Sequence, residues 1–286
     1  MLKKIAVVLI AVFLYSCAGI PRTDPGNVPL APGALVYCRI VDIVHARKLL
    51  DLMALKNLDL SQAAPILDRT DSAFAAFYPK GAAQNFMAVA RGTYPGMGAN
   101  LLFTFSTDWH GRQSRTGSQY WYSESEKIAV SVTSDQVFIA DTDPLNSGYG
   151  TQFPEQFITA SNNTLLGLWF EKMDLINDFL MKNIGLQIQV PAEHIFVLLH
   201  EVPAGYEITF LIKTQNTTYM RALQTILAMA KPHISALDPA DTRFAIIKTL
   251  FDNPPVVDDY TMTMRTKPLS KGDITLLFSS FMLSSK

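Results

Sequence analysis

The chain has 286 residues and a net charge of −1, from 24 basic and 25 acidic side chains. With no basic stripe to neutralise phosphates, nucleic acid is excluded as a partner. Hydrophobic residues make up 49% and charged ones only 17%, so the apolar excess has to be buried in a core, a ligand cavity or a membrane surface.

At the start, Lys3 and Lys4 precede an apolar run from Ile5 to Tyr15. This is about half of the ~20 apolar residues a spanning helix needs. A basic start, a short apolar middle and small residues at the end read as a secretion signal over residues 1–16. Leu14-Tyr15-Ser16-Cys17 resembles a bacterial lipobox, in which cleavage falls before the cysteine and its thiol is acylated; Tyr15 departs from the usual small residue. Cys17 is therefore the expected lipid-attachment residue, and 17–33, rich in proline and glycine, the expected tether. Acylation of Cys17 leaves Cys38 without a disulfide partner, and Cys38 reads as a small core residue in the β-rich segment "ALVYCRIV".

A helix follows, with Ile43, Ala46, Leu50 and Met53 at helical spacing. From 71 to 141 the period changes to two, and "DSAFAAFYP", "NFMAVARG", "ANLLFTFS", "SQYWYSES", "KIAVSVTS" and "QVFIAD" read as strands of an antiparallel meander. A second set of strands is expected in "LLGLWF", "HIFVLLHEV", "YEITFLIK", "RFAIIKTL" and "DYTMTMRT". Three amphipathic helices interrupt or close this set. The first places Met173, Ile176, Phe179, Leu180 and Ile184 on one side. The second groups Tyr219, Met220, Leu223, Ile226 and Leu227. The last groups Ile274, Leu277, Phe278, Phe281 and Met282, relieved only by serines. The expected architecture is α+β, an α/β/α sandwich with a largely antiparallel sheet, forming a single domain over 34–286; two related halves are the open alternative.

No pattern for chemistry emerges. A nucleophile elbow and a phosphate-cradling glycine loop are both absent, "PGMGANLL" lacking the third glycine. His194 and His200 are six residues apart on one strand, which sets the rings about 20 Å apart, too far for one metal. Glu124 and Glu126, beside Trp121 and Tyr122, are a candidate glycosidase pair, but solvent-facing glutamates beside inward aromatics explain the pattern more simply. No catalytic residue, metal site or cofactor is assigned, and the chain reads as a non-enzyme. The weakly charged helices are the candidate lipid contacts.

Three blocks carry a family resemblance: "ILDRTDSAFAAFY", "GTYPGMGANLLFTFSTDW" and "YWYSESEKIAVSV". In order and spacing they resemble a treponemal outer-membrane lipoprotein family concealed on the inner face of that membrane. Matching positions include Asp68-Arg69-Thr70, Gly92, Tyr94-Pro95, Asn100-Leu101, Phe103, Trp109 and Ser123-Glu124. The resemblance implies an α/β/α fold whose amphipathic helices enter the leaflet and perturb it. It also implies an apolar cavity for a lipid or glycolipid, and location at the outer membrane facing the periplasm. Gly96-Met97-Gly98 departs from the bulkier residues of the family and puts the local helix in doubt. The competing expectations are a tethered scaffold for another envelope protein and an unrecognised envelope hydrolase.

Overall fold

Apolar residues at every second position make half-buried strands, and most of the expected runs pair as such. The computed structural model describes residues 27–28, 30–52, 68–79, 82, 85–114, 117–141, 150–185, 187–236 and 242–283. The signal segment and Cys17 lie outside them. The chain divides into two units, Met1–Arg47 with Leu55–Asn162, and Lys48–Ala54 with Asn163–Lys286.

In the first unit, β1 (Asn27–Val28) pairs antiparallel with β9 (Thr151–Gln152). Seven strands form its main sheet: β2 (Val36–Ile40), β3 (Thr70–Phe77), β4 (Phe86–Gly92), β5 (Trp109–Gln113), β6 (Gln119–Ser123), β7 (Ile128–Val132) and β8 (Gln136–Ala140). Their spatial order is β2-β3-β4-β8-β7-β6-β5, every pair antiparallel. Helix α1 (Ile43–Leu52) follows β2 and its residues are divided between the two units after Arg47; Ala46, Leu49 and Leu52 are buried, a stripe at i, i+3 and i+6. Helix α2 (Gly96–Thr104) carries the chain from β4 to the edge strand β5, and α3 (Glu155–Ser161) follows β9.

In the second unit the order is β13-β14-β12-β11-β10, also antiparallel. The strands are β10 (Leu166–Phe170), β11 (His194–Val202), β12 (Gly205–Lys213), β13 (Val256–Asp258) and β14 (Thr261–Arg265). Its helices are α4 (Asp174–Phe179), which runs into a π-helical turn at Leu180–Ile184, α5 (Thr217–Ser235), α6 (Thr242–Leu250) and α7 (Lys271–Leu283). Asn216 caps α5, its side-chain oxygen accepting from the Thr218 and Tyr219 amides at 3.0 and 3.1 Å. Ser270 and Asp273 close the start of α7 reciprocally, each side chain accepting from the other's amide. The α+β class with largely antiparallel strands stands as expected.

Four local expectations change. "ANLLFTFS" is not a strand. It lies largely in α2, where Ala99 and Phe103, four apart, turn inward, and the Ala99 amide donates to the Pro95 carbonyl at 2.9 Å. Pro95 starts this helix without giving up a needed amide, so Gly96 and Gly98 do not prevent it. "RFAIIKTL" is helix α6, with Ile246 and Leu250 buried four apart. Strand β5 and helix α3 have no counterpart in the expectations. Finally, the described part of the expected tether, residues 27–28 and 30–33, includes packed residues. Val28 and Leu30 are fully buried, Tyr78 donates its hydroxyl to the Ala31 carbonyl at 2.8 Å, and Thr151 does the same to Leu30.

Candidate lipid-contact surfaces

Helix α2 has no charged residue along its length. Its inner face is fixed. Phe103 is buried with its ring 5.0 Å from that of Trp109 and 5.6 Å from that of Trp121. Asn100 accepts from Trp121 Nε1 at 2.8 Å, tying the helix to β6. Its outer face is apolar as well. Met97, Leu101 and the following Phe105 are 90, 57 and 77% exposed, and their i, i+4, i+8 spacing stacks them on one side. A water-facing apolar stripe of this kind is a candidate contact surface. None of the three was assigned as a lipid contact from the sequence, where residues 99–106 read as a strand.

The sequence-predicted contacts in the second unit are placed differently. Leu223 is buried in a core with Val190, Ile195, Ile212, Met220, Leu250, Met262 and Met264. Met173, Ile176, Leu180 and Leu227 are partly buried and packed against that core. Ile226 is half-buried and Tyr219 exposed. In α7, Ile274 is fully buried, Leu277 and Phe278 are half-buried, and Leu276 points outward. The side chains of Phe179, Phe281 and Met282 lie outside the described residues. Leu175, Met181, Met229, Val256, Val257 and Tyr260 are also exposed. A groove of about 350 Å³ runs beside α5 and α6, lined mainly by apolar side chains.

The groups considered for chemistry are engaged elsewhere. Glu124 pairs with Arg112, whose guanidinium also lies 4.1 Å from the Tyr122 ring centre. Glu126 is buried with its amide on Ser123 Oγ, and Trp121 faces the core, so no aromatic sugar ledge forms. His194 sits between Trp169 and Phe196, with ring centres 5.7 and 6.0 Å away. Burial lowers the pKa of both His194 and His200 below the usual histidine value. Burial also pushes the Cys38 thiol up to about 12, which makes it inert at neutral pH. Among the described residues no helix is long and apolar enough to cross a membrane.

No protein-family model matches the chain, and no curated protein does. Solved structures of TP0453, a Treponema pallidum protein, share the fold. Its crystal form III superposes with a TM-score of 0.54 and 18% identity, covering 87% of this chain and 95% of that one. Form IV gives 0.53 and 17%, covering 87% and 93%, and form I gives 0.52 and 17%, covering 87% and 94%.

Proposed function

We propose that this chain is a lipid-anchored protein of the outer membrane, facing the periplasm, that binds the membrane leaflet through apolar helix faces and carries a lipid. It acts by binding, without catalysing a reaction. The observation that supports this reading most is α2, an uncharged helix fixed to the sheet on one face and presenting Met97, Leu101 and Phe105 on the other. Such a face has no stabilising partner in water, and each buried side chain gains about 1.5–3 kcal/mol in hydrocarbon. Acylation of Cys17 supplies one membrane signal and the helix faces the second, the combination that stable anchoring requires. The exposed Val256, Val257 and Tyr260 on the β13–β14 hairpin support a second reading, a tethered scaffold for an envelope protein.

Flotation with liposomes separates the two. The chain from residue 18 onward, which carries neither the apolar signal segment nor an acyl group, is expected to float with phosphatidylcholine vesicles and to yield lipid on extraction and mass spectrometry. Failure on both counts sinks the membrane reading and favours the scaffold.

A further inference from the structure

The groove beside α5 and α6 is walled by Leu227, Ala228, Phe251, Pro254, Pro255 and Met264, with Lys231 and Asp252 among its polar lining. Its volume of about 350 Å³ is at the lower end for ligand sites, which run to about 1,000 Å³, and suits one hydrocarbon chain rather than two. The two charges in the lining are not equivalent. Asp252 is already paired with Lys267 at 2.8 Å, whereas the Lys231 ammonium makes no ion pair among the described residues. Among the described residues, the groove therefore offers one cation without an ion pair beside an apolar surface.

The backbone around it argues against a peptide as occupant. The amides of α5 and α6 are spent inside the helices, and those of Phe251 and Asp252 turn back to the Lys248 and Thr249 carbonyls. Pro254 and Pro255 have no amide to give. An extended peptide laid here would lose hydration of its own backbone and find few donors in return. A hydrocarbon chain carries no such cost.

We propose that this groove binds a single-chain anionic amphiphile, a long-chain carboxylate. Its chain lies against Leu227, Phe251 and Met264, and its head group on Lys231. This deepens the lipid-carrying part of the function proposed above and rests on it, but it involves residues of the second unit only and is independent of the α2 stripe.

The test is a calorimetric titration of dodecanoate, kept below its micelle concentration, into the chain from residue 18 onward. Saturable one-to-one binding is expected. A228W, which fills the groove from an exposed helix position, is expected to abolish it while circular dichroism and the melting temperature stay unchanged. K231Q is expected to weaken dodecanoate up to about fivefold, the size of an exposed ion pair, and to leave neutral decanol unaffected. Absence of saturable binding, or binding that A228W leaves intact, overturns the site. Equal dodecanoate affinity of K231Q and its parent overturns the head-group assignment. Flotation measured on the same A228W protein is expected to persist, so a failure of leaflet binding shows up in α2 variants and a failure of the groove shows up here.

Discussion

Arg39 of β2 donates through Nη1 to the carbonyl oxygen of Ile158 at 2.9 Å, in the last turn of α3. The same guanidinium reaches Ser161 Oγ at 2.5 Å and Asn162 Oδ1 at 3.0 Å, and Arg39 is 3% exposed. These three partners are uncharged, so the cation is held by the carbonyl end of a helix, where the backbone dipole is negative. Its Nε is buried with no hydrogen-bond partner, so the arrangement is not fully satisfied. R39M removes the guanidinium's bonds to Ile158, Ser161 and Asn162 and is expected to cost roughly 1.5–3 kcal/mol, the range for hydrogen bonds to charged groups. R39K keeps the charge but not the fork that spans three acceptors, and is expected to fall between. Urea denaturation measures both. An R39M protein as stable as its parent would mean that desolvating the guanidinium cancels its bonds.

The two faces of α2 give opposite expectations for substitutions a few residues apart. F103A removes a ring packed between two tryptophans and is expected to cost about 3–5 kcal/mol. Serine at Met97, Leu101 and Phe105 together is expected to change stability by less than about 1 kcal/mol, because these side chains touch mostly water. That triple variant is expected to lose vesicle flotation. Thermal melting and flotation on the same samples check both parts. A triple variant that melts early shows the stripe to be core.

How far the sequence reached depended on the kind of signal. Strands such as Val36–Ile40 and Phe86–Gly92 were readable because a sheet half-buried on one face forces alternation. Leu101, Phe103 and Phe105 also alternate, yet the first two belong to a helix whose two faces are both apolar and Phe105 follows it. Periodicity cannot separate that from a strand. The error hid the most exposed apolar stripe in the first unit. In α5 and α7 the sequence marked apolar positions at helical spacing, but spacing does not say what covers a face. Leu223 and Ile274 are covered by their own unit, whereas Tyr219 and Leu276 are open to water. The groove was not readable at all, since Ala228, Phe251 and Met264 meet only through tertiary packing. The packed course of residues 30–31 was missed for the opposite reason. Proline and glycine signal an irregular backbone, which here is bonded to Tyr78 and Thr151 rather than free.

His194 ties stability to pH. Trp169 Nε1 donates to His194 Nδ1 at 3.3 Å, so that nitrogen carries no proton. Burial is the largest cause lowering the pKa, partly opposed by Glu193 and assisted by Lys213. His200 is lowered by burial too, opposed by Glu207, its cross-strand neighbour. With the folded pKa below the unfolded value of about 6.5, the unfolded chain binds more protons between the two. Stability is then fully present above about pH 6.5 and is lost as pH falls through it toward the folded pKa. The urea midpoint is expected to be flat from pH 8 to 7 and to decline toward pH 5, with a shallower decline in H194Q. Trp169 fluorescence is expected to fall over the same range as the imidazolium forms. A midpoint that rises on acidification would contradict this assignment.

Gly92 ends β4 at a place where a side chain cannot fit. A Cβ there would run into the carbonyl of Arg69 and the Cα of Thr70. The neighbouring backbone is fixed on both sides: the Gly92 amide donates to Asp135 O at 3.0 Å, Thr93 to Arg69 O at 2.9 Å and Tyr94 to Ser134 O at 2.8 Å. The ladder between β3 and β4 shifts register between Thr70 and Ser72, beside this contact. G92A therefore has to move one backbone segment against another, and it is expected to cost about 3 kcal/mol, the upper end for overpacking. Gly117 is the control. Its φ of +83° is unfavourable for alanine, but nothing lies within 4 Å of the added Cβ, so G117A is expected to cost only the roughly 1–2 kcal/mol of a left-handed residue. Melting temperatures of the two variants compare close approach with backbone strain directly. If G117A is the more damaging, close packing against Arg69 is not what requires glycine at 92.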